Sequence, residues 1–289
     1  MFIDAVYSGG GIRGYALIGA QQTLEENGFR MRRVAGTSAG SIIASFVAAG
    51  FSGKEIEEIM MDVTADDLLD KEFGTTWPFI RWMLLYWTMG LYKGNKLETW
   101  VDGILKQKGI RTFGDLPEQK TLRIVASDIT SGTIAVFPDD LPKYGINPAT
   151  FPIARAIRMS CSIPYFFRPV KLKHRKFVDG GVLSNFPMWL FDTDHVKKDR
   201  PVIGLKLNPD SLPLPQNEID NAVTLFTALF DTMRNGHDNR YISRKHVKDI
   251  VFIPVPKEVA LDFNLSKEKK EELIDTGRRS AETFLKKWT

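Results

Sequence analysis

The feature that most constrains the fold of this chain is the pentapeptide at residues 36–40, which reads Gly-Thr-Ser-Ala-Gly and matches GxSxG. It joins a short strand-like segment to a long apolar segment, so we expect a strand, a sharp turn and a helix in that order. A serine at such a turn has a strained backbone and an exposed hydroxyl, and only small neighbours fit around it. Gly36, Ala39 and Gly40 are such neighbours. The pattern predicts a nucleophile elbow with Ser38 as the nucleophile.

An ordinary turn is the alternative, because a five-residue pattern recurs by chance. A second catalytic motif elsewhere in the chain would favour the nucleophile elbow over the ordinary turn. One candidate is the turn between a predicted strand at 2–7 and a predicted helix at 15–26. Its glycines are Gly9, Gly10, Gly11 and Gly14. Their spacing also fits the GxGxxG of dinucleotide-binding folds, but those folds need an acidic residue at the end of the second strand. The predicted second strand, 31–35, contains none.

In a serine hydrolase the same glycine turn has a clear use. Backbone amides of Gly9, Gly10 and Gly11 can approach a developing oxyanion, and each such donor is typically worth about 10²–10³ in rate. Arg13 follows as a cation at the start of the helix, where it would brace the turn or add positive potential. A surface salt bridge is its alternative role.

The wider pattern favours an α/β fold with a mostly parallel central sheet flanked by helices. Later strands are predicted at 122–127, 134–137, 202–207 and 250–254. We expect one helix opened by Asn147 and Pro148 and a charged amphipathic helix at 266–288. Because no repeat or low-complexity linker divides the chain, we expect a single domain over 1–289, interrupted by residues 73–110.

The interrupting segment is unusually aromatic over residues 77–92. Its aromatic residues are Trp77, Phe79, Trp82, Tyr86, Trp87 and Tyr92. The segment is too short to span a bilayer. A core helix is one interpretation; the other is a lid or lipid-contact surface, because Trp and Tyr with flanking Arg81, Lys93 and Lys96 suit the headgroup boundary.

Composition excludes several classes of function. The 39 basic residues are interspersed with 35 acidic ones and form no basic stripe, so we expect no nucleic-acid partner. No His, Cys or carboxylate cluster has metal spacing, so we expect neither a metal nor a cofactor. The single cysteine, Cys161, cannot form an internal disulfide, and no signal peptide is visible. We therefore expect a cytoplasmic protein, with peripheral membrane contact through 77–92.

A serine nucleophile needs a proton acceptor, and the histidines do not offer an obvious one. The four histidines are His174, His195, His237 and His246, and none adjoins a motif that would bring it to the elbow. Asp179 is the better candidate, because it ends an apolar strand and precedes Gly180 and Gly181. Two glycines let its carboxylate turn toward another loop, although a plain Asp-Gly turn is the alternative.

The glycine turn, the Gly-Thr-Ser-Ala-Gly elbow and the Asp-Gly-Gly triplet together resemble the patatin-like phospholipase family, and residues 155–164 are similar to that family's segment before its aspartate. The resemblance covers about residues 1–187. It implies the family's three-layer α/β architecture and a Ser–Asp dyad, with Ser38 as nucleophile and Asp179 as sole general base. It further implies acyl-ester hydrolysis of phospholipids, lysophospholipids or related lipids, with the glycine turn as oxyanion hole. Tyr165 departs from the family, in which a small residue is common after this proline.

Two other functions stay open at this stage. A lipid acyltransferase would use the same dyad but pass the acyl group to an alcohol or lysolipid. A catalytically vestigial lipid-binding module would keep the aromatic segment without forming an acyl-enzyme. Cys161 is an alternative nucleophile, but it has no adjacent histidine, and packing near the site is its expected role.

Overall fold

An eight-stranded sheet forms the centre of the computed structural model. The structure describes residues 1–70, 85–191, 200–209, 219–221, 224–225, 228–229, 232–233, 247–256 and 265–288. The strands of this part of the chain are β1 (Phe2–Tyr7), β2 (Arg30–Thr37), β3 (Gly90–Tyr92), β4 (Thr121–Asp128), β5 (Thr133–Phe137), β6 (Tyr165–Phe167), β7 (Val170–Leu172), β8 (Arg175–Asp179), β9 (Val202–Pro209) and β10 (Ile250–Val255). Its α-helices are α1 (Tyr15–Glu26), α2 (Ala39–Ala49), α3 (Gly53–Asp62), α4 (Ala65–Leu68), α5 (Asn95–Lys106), α6 (Ile153–Ser160) and α7 (Lys267–Leu285).

The strands of the main sheet lie in the order β10-β9-β1-β2-β4-β8-β7, and β5 pairs with β4 beside this path. Neighbours from β10 to β4 are parallel, whereas β8 is antiparallel to β4 and β7 is antiparallel to β8. The strands β3 and β6 form a separate two-stranded sheet. The predicted α/β class, with a mostly parallel sheet flanked by helices, is confirmed.

Burial on both faces of the sheet explains why its strands read as continuous apolar segments. In β1, Ile3 and Tyr7 join the large core that includes Leu17 of α1 and Phe46 of α2. Val6 points the other way and belongs to a smaller core. That second core also contains Ala35, Phe186, Met188, Phe191, Val202 and Ile250. The alternation follows from the two-residue side-chain period of a strand.

One predicted helix was placed wrongly. The expected helix start at Asn147 and Pro148 is a turn, and α6 begins only at Ile153. The side-chain oxygen of Asn147 accepts a hydrogen bond from the backbone N–H of Ala149 at 3.0 Å. Asparagine forms Asx-turns as well as helix N-caps, so the residue type alone did not distinguish a turn from the start of a helix.

The interruption at 73–110 is partly described. Residues 71–84, with most of the aromatic segment, lie outside the described residues, as do three of the four histidines. The described part contains β3 and α5, neither of which was predicted. The one-domain organisation stays a prediction.

Helices α1 and α7 pack against each other at backbone distance. A Cβ added to Gly19 would lie 1.9 Å from the carbonyl oxygen of Ile274, and one added to Gly277 would lie 1.8 Å from that of Ala16. Glycine is therefore required on both sides of the contact, because any side chain would force the helices apart. This contact holds α7 against α1, which packs on the central sheet.

Gly277→Ala is therefore expected to lower the free energy of unfolding by about 1–3 kcal/mol, because the cost of overpacking this contact exceeds the gain in helix propensity. Chemical denaturation of the purified variant measures this change. Gly103→Ala is the matched control, because a Cβ at this helical glycine meets no atom within 4 Å. The control should gain about 0.5–1 kcal/mol, and equal behaviour of the two variants would contradict the close packing.

Candidate active site

Ser38 lies at the turn where β2 ends and α2 begins. It is the N-cap residue of α2, with φ 52° and ψ −129°. A non-glycine residue in that region costs about 1–3 kcal/mol and persists only where its surroundings enforce it. The residue is largely buried. The backbone therefore has the strained strand-to-helix turn that the sequence predicted, with the positive end of the α2 dipole beside the serine.

Two glycines permit this turn. A Cβ on Gly36 would lie 2.3 Å from the carbonyl oxygen of Gly40, and a Cβ on Gly40 would lie 2.4 Å from the carbonyl oxygen of Tyr7. The first turn of α2 is consequently pressed against the end of β1. Neither glycine can be replaced without moving Ser38.

A second serine, Ser160, supports the turn from α6. The backbone N–H of Ser38 donates to Oγ of Ser160 at 2.8 Å, and this hydroxyl donates to the carbonyl oxygen of Val125 at 2.6 Å. All three groups are buried, so the chain of hydrogen bonds ties the elbow to β4. The sequence signal for Ser160 was its position in the small-residue segment 155–164, but no role could be read from it.

The glycine turn runs beside Ser38 and is braced by Arg13. A Cβ on Gly9 would lie 3.1 Å from Cβ of Ser38. Nε of the buried Arg13 donates to the carbonyl oxygen of Gly10 at 3.1 Å, and Gly11 has φ 59°. The N–H of Gly9 donates to the carbonyl oxygen of Asn185 at 3.0 Å. The expectation that all three amides face a substrate therefore does not hold at Gly9, where the N–H is already engaged.

Asp179 ends β8 and begins a short 3₁₀ turn. It is almost fully buried, and its Oδ1 accepts from the N–H of Gly181 at 2.7 Å. A Cβ on Gly180 would lie 2.3 Å from the carbonyl oxygen of Val125 and 2.8 Å from Cγ2 of Thr37. The Asp-Gly-Gly segment thus lies against the residue that precedes Ser38.

Strand register brings Ser38 and Asp179 to one level of the sheet. Thr37 pairs with Val125 across β2 and β4, and Ala126 pairs with Asp179 across β4 and β8. Strands two apart are separated by about 10 Å, so Asp179 lies across β4 from Ser38 at the same end of the sheet.

Cys161 lies within interaction range of both residues. Burial raises the pKa of its thiol well above the ordinary value, the charge of Asp179 raises it further, and hydrogen bonds from Ser41 and Ser38 lower it in part. The thiol therefore stays protonated near neutral pH, which makes it a poor nucleophile. The predicted packing role beside the site is the one that this environment favours.

An apolar pocket opens beside Ser38. Ser38 and Gly11 line this pocket together with Ile42, Met60, Leu97 and Phe167. The hydroxyl of Tyr15, another lining residue, donates to the carbonyl oxygen of Met60 at 2.7 Å, so its polar atom is satisfied within the protein. The pocket suits a hydrocarbon chain attached to a group that reacts at Ser38.

Two further observations concern only the described ranges. They contain no group of three or more His, Cys, Asp or Glu residues placed to hold a metal ion. None of the helices found there is long and apolar enough to cross a membrane. His174, the one histidine in these ranges, is exposed in the turn between β7 and β8.

The fold and the strained Ser38 define an α/β protein with a sharp strand-to-helix turn, and comparison with known proteins gives the family. Residues 5–192 match the family model of the patatin-like phospholipases, and the chain belongs to that family. The resemblance read from the three sequence motifs is confirmed.

Individual relatives extend this result. The chain is 51% identical over 294 residues to the uncharacterized protein YqhO of Bacillus subtilis, with 100% of both chains covered. It is 26% identical over 206 residues to the probable lipid hydrolase 463L of Invertebrate iridescent virus 6, covering 68% of this chain and 65% of the relative. The crystal structure of VipD from Legionella pneumophila superposes with a TM-score of 0.62 at 17% identity, covering 99% of this chain and 67% of VipD. That structural likeness shows the fold.

Removing the Ser160 hydroxyl tests the support of the elbow. Ser160→Ala leaves the buried N–H of Ser38 without its acceptor, so we expect a loss of about 1–3 kcal/mol in unfolding free energy. Denaturant titration measures it. Ser280→Ala removes a hydroxyl that bonds its own helix, at 2.8 Å from the carbonyl oxygen of Thr276, and should change stability by less than about 0.5 kcal/mol. Equal losses in the two variants would contradict a special role for Ser160.

Proposed function

We propose that this protein is a serine esterase that hydrolyses acyl ester bonds of phospholipids, lysophospholipids or related lipids. The observation that carries the proposal is the strained Ser38 in the lining of an apolar pocket, at the N-terminus of α2. Membership of the patatin-like phospholipase family supports the same chemistry. The relative 463L, to which 68% of this chain aligns, is named as a probable lipid hydrolase, which adds support.

In the proposed first half-reaction, the carboxylate of Asp179 takes the proton of the Ser38 hydroxyl while Oγ attacks the ester carbonyl carbon. Amides of Gly10 and Gly11 and the α2 dipole stabilise the oxyanion that forms. The carbonyl re-forms, the bond to the alcohol oxygen breaks, and the alcohol leaves with the proton from Asp179. The products are a free alcohol and an acyl-enzyme on Ser38.

In the second half-reaction, Asp179 takes a proton from water, whose oxygen attacks the acyl carbon. Collapse of this second tetrahedral intermediate releases the carboxylic acid, and the proton returns to Ser38. General-base assistance of this kind contributes typically about 10²–10⁴-fold. The hydrogen bond from Gly181 to Oδ1 fixes the orientation of the carboxylate, which supports Asp179 as the base without a histidine.

The first test is labelling by a fluorophosphonate probe, which reacts with an activated serine. Ser38→Ala should lose labelling completely, and Asp179→Asn should lower turnover of a chromogenic ester by about 10²-fold or more. The asparagine keeps the Oδ1 acceptor for Gly181, so the turn should stay intact. Thermal unfolding confirms that both variants are folded.

The control for this experiment is Cys161→Ala, which should still be labelled. Substituting all four histidines with glutamine should also leave substantial turnover, because the proposed dyad contains none. Undiminished labelling of Ser38→Ala, or full turnover by Asp179→Asn, would refute the dyad. Product analysis with an added lysolipid acceptor separates hydrolysis from acyl transfer.

A second test addresses the acyl pocket. Ile42 lies one helical turn after Ser38 and lines the pocket, so Ile42→Trp should shorten the space for a chain. Each methylene that can no longer be buried is worth about 0.8 kcal/mol. We expect kcat/KM for a decanoyl ester to fall about tenfold or more relative to the acetyl ester. Ile129→Trp, at an isoleucine that is 47% exposed, is the control, and an unchanged decanoyl-to-acetyl ratio in Ile42→Trp would argue against the assignment.

A further inference from the structure

Four large apolar side chains form an exposed patch beside the pocket. Tyr86, Trp87, Met89 and Tyr165 are 79%, 74%, 38% and 53% exposed, and they are called the aromatic patch below. The rings of Tyr86 and Trp87 pack edge to face at 5.4 Å. Gly90, directly after Met89, pairs with Tyr165 where β3 meets β6. Single exposed apolar residues are ordinary, but a contiguous group marks an interaction surface.

The backbone of the aromatic patch is strained. Met89 has φ 58° and Tyr165 has φ 63°, conformations that cost a side-chain-bearing residue about 1 kcal/mol or more each. Within the described ranges only Ser38 and Lys173 are other non-glycine residues with positive φ. Strain of this kind clusters at functional positions, and here it occurs at two exposed residues.

A pair of like charges adjoins the aromatic patch. Lys171 and Lys176 lie directly opposite each other across β7 and β8, and both are exposed. Nζ of Lys176 lies 3.6 Å from Sδ of Met89, which joins the pair to the patch. Like charges at opposed positions destabilise a strand pair, and neither lysine has a carboxylate partner in the described ranges. An anionic partner would relieve this repulsion.

The position of the aromatic patch relative to the pocket indicates which anionic partner fits. Ile163 and Phe167, two residues before and two residues after Tyr165, both line the apolar pocket beside Ser38. A lipid that leaves a bilayer at this face therefore meets the pocket wall within a few residues of the patch. Tryptophan and tyrosine are the residues that settle at the headgroup boundary, and lysine supplies the attraction to anionic headgroups.

We propose that the aromatic patch, with Lys171 and Lys176, docks this protein on the surface of an anionic lipid bilayer. The aromatic side chains enter the headgroup region, and the two ammonium groups contact lipid phosphates or carboxylates. This docking presents the pocket to the bilayer, and its connection with catalysis rests on the proposed esterase function.

The experiment is sedimentation of the full chain with vesicles of phosphatidylcholine alone or of phosphatidylcholine mixed with phosphatidylglycerol. Wild type should bind the mixed vesicles more tightly, and added salt should weaken this binding. The double variant K171E/K176E should bind the mixed vesicles about 25-fold more weakly or worse, since each lysine near such a surface is worth about fivefold. Trp87→Ala should weaken binding to mixed vesicles by about tenfold.

Two controls match these variants in type. K286E/K287E makes the same charge change on exposed lysines after α7, which packs on β10 at the opposite edge of the sheet from β7. Phe252→Ala removes an aromatic side chain that is 36% exposed on β10. Both controls should bind within about twofold of wild type, and every variant should keep its turnover of a water-soluble acetyl ester.

Repeating the sedimentation with Ser38→Ala separates the two proposals, because binding by this variant does not depend on hydrolysis. Docking stands if Ser38→Ala binds as wild type does and K171E/K176E does not, even where no ester is cleaved. It is overturned if wild type ignores anionic vesicles, or if K171E/K176E and Trp87→Ala bind as well as their controls. A wild-type dimer in solution that Trp87→Ala dissociates would instead make the aromatic patch a contact between two copies of the chain.

Discussion

The contact between the first turn of α2 and the carbonyl end of β1 is the constraint on which the site depends. Gly40 sits within van der Waals reach of the carbonyl oxygens of Tyr7 and Ser8, with no room for a Cβ. The glycine turn begins at Gly9, directly after Ser8. The contact with Gly40 therefore also fixes the distance between the glycine turn and Ser38. The strained φ of the serine follows, because the chain must leave β2 and enter α2 without lifting off β1.

The opposite side of the site depends on the reversal of strand direction after β4. With β8 antiparallel to β4, Asp179 pairs with Ala126, one position beyond the residue that pairs with Thr37. The carboxylate therefore meets the carboxyl ends of the parallel strands, where open α/β sheets place their sites. Buried hydroxyls join these strands: Oγ of Ser127 donates to the carbonyl oxygen of Asp179 at 2.9 Å, as Ser160 does to Val125.

What the sequence could predict was local. The elbow, the glycine turn and the Asp-Gly-Gly triplet are each short patterns whose backbone demands exclude most side chains, and the structure has the expected turn at each. Contacts between distant segments could not be predicted. The N–H of Gly9 looked available for an oxyanion until folding brought Asn185 against it, 176 residues later in the chain.

The aromatic segment shows why composition alone could not decide between core and surface. Within its described part, Tyr86 and Trp87 are exposed, whereas the ring of Tyr92 packs on Phe166 at 5.0 Å. Tyr92 lies in the strand β3 and not in a core helix, and lipid contact by the exposed residues stays a prediction. Pairing between β3 and β6 places Tyr92 against Phe166. This pairing could not be predicted from the segment itself, because β6 lies more than seventy residues further along the chain.

The buried guanidinium of Arg158 connects the strands β3 and β6 to the segment that carries Asp179. Arg158 donates to the carbonyl oxygens of Lys93 and Arg168, which follow β3 and β6, and to Oγ of Ser162. Ser162 in turn accepts the backbone N–H of Asp179 through its carbonyl oxygen at 2.9 Å. Burial lowers the pKa of Arg158 to about 10, so the group stays charged at neutral pH. One planar guanidinium with several fixed donors thus holds three segments at once, which a lysine could not do with the same geometry. Arg158 therefore connects the ends of β3 and β6, which carry part of the aromatic patch, with the segment that holds Asp179.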